Sequence, residues 1–442
     1  MRYQYTPSPP GAQPALPVPV PNDPVPNASV APRPTPPSAP RASKRGSPSE
    51  ARLTLAPGLD RAVRAGYPWA FSGALAHVEG APQTGDVVAL HAARGDFLGR
   101  GFYHATAGVA FRLLTRDPHE GIDAGFFRTR LARALALRER FYAGSLHYRL
   151  AYAEADGLPG TLVDRYDGVL TLSTLSAGMD QRKEWLVEAL VDLMKPTSIV
   201  ERNDSPLRLK DGLPEATSVL YGAPPETVEI EEDGVRCGVD VLGGLKTGFF
   251  LDQHLNRYVV RRLAAGLRVL DVFCADGGFG LHAAAGGASS IHFMDSSQGA
   301  LDRARTNAER SGLTATPMTY ERADAVPRLG EMVHEGHRFD LIVLDPPAFA
   351  RSRKHRDTAI RAYQRVNISG MQLLEDGGIL ATASCSGAIT PEDFLTMVRY
   401  SARRAGVGLT ILHEAGHAPD HPVLDAMPET RYLKFLVARV ER

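Results

Sequence analysis

The sequence predicts an α/β protein. A doubly wound parallel sheet is preceded by a small β-rich module and an α+β segment. Three observations lead there. From about residue 225 onward, apolar strand-like runs alternate with helical stretches. Between residues 51 and 120, short strand-like runs are separated by glycines. Residues 1–50 fit neither pattern, because they hold 15 of the chain's 33 prolines. The boundaries read as 1–50, 51–120, 121–222 and 223–442, a plausible division of 442 residues.

Composition excludes several classes. Hydrophobic residues make up 43% and charged residues 23%, enough to bury a sizeable core. Fifty basic residues balance fifty acidic ones, so overall charge gives no argument for nucleic-acid binding, although a local basic face remains open. No apolar run approaches the roughly 18 residues of a membrane-spanning helix, and no membrane partner is expected. Three cysteines exclude a disulfide scaffold and a four-thiolate zinc site, and they fit a reducing compartment such as the cytoplasm. No metal site is expected.

The elements follow in chain order. The Pro-rich tail lacks the apolar stretch of a signal peptide and should stay extended or disordered. It carries five basic residues against two acidic ones and reads as a solubilising extension. In the next module, Leu53–Leu55, Asp86–Leu90, Phe97–Gly101 and Val109–Leu114 read as strands, with Arg61, Arg64, Arg94, Arg100, Arg112 and Arg116 as exposed candidates. Such arginines lie along an RNA backbone or are merely solvated, and the segment alone leaves both readings open. Residues 121–145 read as a helix. The pattern is then β-β-α-β-β over 149–222, with strands at Tyr148–Tyr152, Gly168–Leu175 and Ser198–Arg202 and a helix at Asp180–Leu193. Thr227–Glu231 and Val235–Val241 flank an Asp-Gly turn, a hairpin signal. Arg268–Val272, Ser290–Met294, Phe339–Leu344 and Gly378–Thr382 supply the parallel sheet.

The run Val269-Leu270-Asp271-Val272-Phe273-Cys274-Ala275-Asp276-Gly277-Gly278-Phe279-Gly280 reads as a buried strand, a glycine-rich turn and a helix start. Glycines there let the backbone approach a ligand closely. The dinucleotide pattern G-x-G-x-x-G is not matched, and acids at 271 and 276 would repel a pyrophosphate. They suit a cofactor with a cationic sulfonium and an amino-acid tail. Asp295, followed by Ser296, ends the next strand, where a carboxylate accepts ribose hydroxyls. Asp324 follows another short strand and is expected to reach an adenine amino group. This outline is that of a class I S-adenosylmethionine-dependent methyltransferase.

Asp345-Pro346-Pro347-Ala348-Phe349 ends a further buried strand. Two prolines stiffen such a loop so that it can grip the polar edge of a planar base. By itself the loop also suits methylation of an exocyclic amino group. Cys385, in Ser384-Cys385-Ser386-Gly387 just after another strand, adds a nucleophile. Ligands of doubly wound sheets lie beyond the carboxyl ends of the strands, so Cys385 and Asp345 should face one crevice. Carbon 5 of a pyrimidine attacks poorly until a thiolate adds to carbon 6. A free thiol ionises near a pH of about 8.5, so it must be activated or attack while losing its proton. Asp345 is expected to protonate or hydrogen-bond ring N3 of cytosine. Cys237 and Cys274 are read as small buried hydrophobes.

The chain resembles the bacterial large-subunit rRNA cytosine-C5 methyltransferases that carry an N-terminal PUA domain, over roughly residues 52–440. The resemblance rests on Tyr67-Pro68-Trp69-Ala70-Phe71-Ser72-Gly73, Glu154-Ala155-Asp156-Gly157-Leu158-Pro159-Gly160 with Val163-Asp164-Arg165, Lys246-Thr247-Gly248-Phe249-Phe250-Leu251-Asp252-Gln253, Asp345–Phe349, Ser384–Gly387 and Asp420-His421-Pro422. It implies a PUA barrel, a central EEHEE domain and a Rossmann-like catalytic domain. It further implies S-adenosylmethionine as cofactor, with Phe249 and Gln253 bordering it, and Cys385 as nucleophile. The implied partners are 23S rRNA or a large-subunit assembly intermediate, and related enzymes point to a homodimer. Pro346, Pro347, Phe349 and Arg202 are expected at the substrate, although Arg202 is as well suited to a salt bridge. Two departures stand out. Asp276 replaces the family's threonine, and His254 replaces an arginine, with Arg257 three positions on. Two other readings stay open: an amino-group or purine methyltransferase in which Cys385 is incidental, and an RNA-binding assembly factor without activity.

Overall fold

The computed structural model describes residues 50–244, 247–349 and 353–442. The tail 1–49 and Lys246 lie outside the described residues. The N-terminal module is one six-stranded sheet in the order Trp69–Phe71, Val109–Thr115, Phe97–Tyr103, Val87–His91, Arg52–Leu55, Leu75–Glu79. Its pairings are antiparallel except that of Arg52–Leu55 with Val87–His91. Alternation places Leu53, Leu55, Val88, Leu90 and Phe111 in a shared core. Two of these strands, Trp69–Phe71 and Leu75–Glu79, were not expected. Both are short and have few β-branched residues.

The middle segment holds five strands rather than four, in the order Ala216–Gly222, Ser198–Asn203, Val169–Thr174, Thr161–Tyr166, His147–Tyr152. The added strand, Thr161–Tyr166, follows the acidic turn at once and ends in a polar Asp-Arg-Tyr run, which hides its signal. Helices Ala124–Phe141 and Lys183–Met194 lay Phe127, Leu131, Leu186 and Leu190 on this sheet. The expected helix over 180–193 is broken at Gln181-Arg182. Asp123 caps the first helix, its Oδ1 accepting from the Phe126 amide at 3.0 Å. The hairpin forms at Val228–Glu232 and Val235–Val239. Asp233 and Gly234 both take positive φ, as a two-residue mirror-image turn requires.

The C-terminal sheet has seven strands, in the order Met318–Arg322, Ser290–Asp295, Arg268–Val272, Phe339–Leu344, Leu374–Ser384, Lys434–Glu441, Gly408–Ala415. The first five are parallel, Lys434–Glu441 runs antiparallel to both its neighbours, and the edge strand Gly408–Ala415 again runs with the first five. Helices Gly278–Ala285 and Gln298–Arg310 cover one face. Ala325–His334, Arg356–Leu373 and Pro391–Ala405 cover the other. The chain order reverses beside the central strand Arg268–Val272, which opens a crevice at the carboxyl ends of the strands.

Candidate active site

The turn after the central strand is bent away from ordinary backbone. Phe273, Ala275 and Gly277 all have positive φ, at 62°, 46° and 84°. Two non-glycine residues in that region within three positions store strain, which persists where the surroundings enforce it. Here the enforcing contacts come from the next strand. Phe273 and Cys274 donate to the Met294 carbonyl, and the Ala275 amide donates to Asp295 Oδ2 at 3.0 Å. Gly280 opens the following helix against the sheet. A Cβ there would lie 2.2 Å from the Phe293 ring, so the helix reaches its position only with glycine.

Asp271 is the buried carboxylate under this turn. Its Oδ2 accepts from the Gly280 amide at 2.7 Å, and its Oδ1 is buried with no hydrogen-bond partner among the described residues. Burial, with Asp345 and Asp295 nearby, raises its pKa to about 8. An orphaned, half-satisfied carboxylate of this kind fits a cationic group laid over the turn, and S-adenosylmethionine carries two. Asp276 is less available than expected. Its Oδ1 is paired with Arg303 at 2.8 Å, and Asn307 holds its carbonyl, so its charge is answered by the neighbouring helix. Burial raises its pKa, and the Arg303 guanidinium opposes the shift.

The other predicted cofactor residues divide. Asp295 spends its carboxylate on the Ala275 and Ser297 amides, shaping the turn, while Ser296 is exposed beside it. Asp324 is exposed and caps the helix Ala325–His334 through the Val326 amide. Phe279 turns inward and stacks on Phe435 at 6.0 Å, so its ring is core rather than cleft. Gly277 and Gly278 are hemmed in. A Cβ on Gly277 would meet Ala304 at 2.9 Å, and one on Gly278 would meet Arg257 at 3.1 Å. Phe249 is buried beneath the Arg257 guanidinium, 4.8 Å away. Arg257 itself grips Glu232 with two nitrogens, so this arginine orders the wall beside the glycines.

Across the crevice, Gln253 donates to Asp345 Oδ2 at 3.0 Å. Asn256 donates to Gln253 Oε1 at 2.6 Å, which fixes the orientation of the amide. Asp345 is therefore aimed by a two-residue relay. The Cys385 thiol is half-buried and donates to the Pro346 carbonyl at 3.8 Å. The sulfur and the Asp345–Phe349 loop thus meet, as the strand order requires. Phe349 lies 4.8 Å from Tyr363 and 6.4 Å from Phe273, bridging the two loops, and Pro347 is exposed at the rim. The Tyr363 hydroxyl is 2.9 Å from Ser386 Oγ.

Two expectations need correction. Arg202 is buried and bonded to the Val241 and Gly244 carbonyls and to Asp204, so it joins two segments of the fold and does not face the crevice. Of the six arginines read as exposed candidates, either along an RNA backbone or merely solvated, four are instead committed to partners within the protein. Arg64 pairs with Asp60 and Asp96, Arg100 with Glu50, and Arg112 with Glu154 and Asp211, while Arg116 donates to backbone carbonyls.

Sequence reasoning had given no role to a buried network that seats the segments holding Thr247 and Asp420 on the middle sheet. Arg138 binds both Asp156 oxygens and the Asp420 carbonyl. Asp420 accepts from the Arg149 amide and from His421. Arg149 grips Asp164, which in turn accepts from Thr247 at the head of the Phe249–Gln253 loop. Asp156, Asp164, Thr247, Asp420 and His421 lie inside the motifs that carry the resemblance, whereas Arg138 and Arg149 lie in none of them.

The strand order, the acid-lined glycine turn and the Asp-Pro-Pro loop define a class I S-adenosylmethionine-dependent methyltransferase. Residues 199–437 match the S-adenosylmethionine-dependent methyltransferase family, and residues 53–116 match a PUA-like domain. A protein of Shewanella amazonensis named ribosomal RNA large subunit methyltransferase I is 43% identical over 88% of this chain and 99% of its own. A protein of the same name from Photobacterium profundum is 41% identical over the same shares. Among solved structures, a Streptococcus mutans protein assigned as a SAM-dependent methyltransferase shares the fold. Its TM-score is 0.76 and its identity 20%, over 88% of this chain and 99% of that one. A second structure, assigned as a methyltransferase and in complex with SAH, has the same TM-score at 21% identity. The chain belongs to the ribosomal RNA large subunit methyltransferase I family.

Proposed function

We propose that this protein methylates carbon 5 of a cytosine in 23S rRNA, on free RNA or a large-subunit assembly intermediate, with Cys385 as nucleophile. The observation that carries the reading is the meeting of the Cys385 thiol with the Asp345-Pro346 loop. The names of the relatives support the RNA target. Bound S-adenosylmethionine supplies an electrophilic methyl group. Cys385 adds as thiolate to carbon 6, and the displaced π electrons make carbon 5 nucleophilic. Asp345, held by Gln253, hydrogen-bonds or protonates N3 and so accepts the developing charge. After transfer, a base removes the carbon 5 proton, the double bond reforms, and the sulfur leaves as thiolate. Pro346, Pro347 and Phe349 frame the base.

Cys385→Ala should retain S-adenosylmethionine binding by calorimetry and lose methyl transfer by at least about 1000-fold. RNA containing 5-fluorocytosine should trap a covalent adduct with the wild type and none with the variant. Methylation by the Ala variant, or an N-methylated nucleoside in the product digest, would establish the amino-group or purine reading instead. A cytoplasmic location follows from this substrate and accords with three free cysteines. Among the described residues no helix is long and apolar enough to cross a membrane. Pairing of two copies is supported by the open outer strand Gly408–Ala415, where Ile411 and Leu412 are exposed, and light scattering tests it.

A further inference from the structure

Lys434 is 4% exposed, at the start of the strand Lys434–Glu441 and directly opposite Ser384. Its Nζ donates to the Ser386 and Tyr432 carbonyls at 2.7 and 2.8 Å. An ammonium has a third hydrogen, and no further acceptor stands within bonding distance among the described residues. No carboxylate there lies within ion-pair distance either, which is unusual for a buried lysine. Among the described residues two ionisable groups act on it electrostatically, the Cys385 thiol more strongly and Asp393 less, and Asp393 is already paired with Arg356.

We propose that the Lys434 ammonium is the built-in counter-ion of the Cys385 thiolate. It is a positioning residue that acts on the reaction through the sulfur. The proposal rests on reading Cys385 as the nucleophile. When the thiol loses its proton to water, the negative sulfur meets a cation held by two carbonyls. Lys434 keeps its own proton and makes no covalent bond. The same charge favours the thiolate a second time, when the sulfur leaves carbon 6. Burial lowers the lysine pKa to about 8, so the lone ammonium is costly and an adjacent anion relieves that cost. Among the described residues, the Pro346 carbonyl accepts from the sulfur, and Tyr363 on the helix Arg356–Leu373 acts on it electrostatically. Burial raises the Tyr363 pKa to about 12, so it remains a neutral hydroxyl.

The test is the pH profile of iodoacetamide alkylation at Cys385, read by peptide mass spectrometry on the full chain. Cys237 and Cys274, both buried, are resolved as separate peptides. In the wild type the Cys385 thiol should titrate below the free-thiol value of about 8.5. Lys434→Gln keeps a donor for the carbonyls and removes the charge. Its profile should move up by at least about one unit, with roughly tenfold slower alkylation at neutral pH. Lys434→Arg should stay near the wild type. Coincident profiles for Lys434→Gln and wild type overturn the proposal. So does a wild-type profile at or above the free-thiol value, which needs no variant to fold. Alkylation reads the ionisation of the thiol whatever the RNA target, whereas the 5-fluorocytosine adduct reads the nucleophile. Failure of one is therefore distinct from failure of the other.

Discussion

At the scale of single residues, the central tension is a carboxylate kept in the dark. Asp271 holds one backbone amide, its Oδ1 has no partner among the described residues, and burial raises its pKa to about 8. In the folded protein without ligand it is therefore largely protonated at neutral pH. A raised carboxyl pKa means the folded state binds the proton more tightly than the unfolded state. That contribution to stability is present at low pH and is lost as pH rises from about 4 toward 8. A cationic cofactor prefers the ionised carboxylate. Binding of S-adenosylmethionine near pH 7 should thus release close to one proton, and affinity should rise with pH until about 8. Calorimetry in buffers of different ionisation enthalpy measures both. Absence of proton release would show that Asp271 does not meet the cation. Asp276 illustrates the opposite case, because its pairing with Arg303 shows why an extra acid in the turn is tolerated.

At the scale of elements, the helix Ala124–Phe141 does more than cover a sheet. Its Arg138 is fully buried and binds Asp156 on the acidic turn, the Arg149 carbonyl on the first strand of the middle sheet, and the Asp420 carbonyl near the C-terminus. Arg138→Met should lose about 3–5 kcal/mol, since it strands the Asp156 carboxylate away from water. Chemical denaturation measures that loss, and an unchanged midpoint would mean that water or His421 compensates. The helix was legible from its apolar spacing, whereas its anchoring role was not. An arginine between Leu135 and Phe141 looks the same in sequence whether it faces solvent or a buried acid. The extra strand Thr161–Tyr166 was missed for a related reason. Its Asp164 reads as a polar interruption, yet it is a fully buried acceptor for Arg149 and Thr247.

At the scale of the whole molecule, several polar contacts tie the N-terminal sheet to the middle segment, among them His104 with the Asp211 carbonyl and Gln181 and Arg182 with the Thr84 and Gly85 carbonyls. Trp69 Nε1 donates to Glu154 at 2.8 Å, and Arg112 lies 4.9 Å over the Trp69 ring while pairing with Glu154 and Asp211. Arg112→Ala removes the cation from a stacked, partly buried site and should loosen this junction by about 1–3 kcal/mol. Hydrogen exchange should speed up in Trp69–Phe71 and leave the strand Arg268–Val272 protected. Equal exchange in wild type and variant would place the junction elsewhere. RNA affinity should fall by less than methyl transfer, because the arginine secures geometry rather than offering charge to phosphate.

Local chemistry was enough to identify the parallel sheet, the glycine turn with Asp271 and Asp295, and the meeting of Cys385 with the Asp345 loop. Each of these depends on a period of side chains or on the rule that ligands gather at strand ends, and both are carried by neighbouring residues in the chain. What the tertiary structure alone decided was which charges are spent. Arg202, Arg112 and Asp276 look like ligand contacts in sequence and are closed by partners, some of them from distant segments. Lys434 has no role that the sequence singles out, and it is buried opposite Ser384, the residue before Cys385. The reason is physical. The energy of a charge depends on its burial and on its counter-ion, and both are set by segments that meet only once the chain has folded.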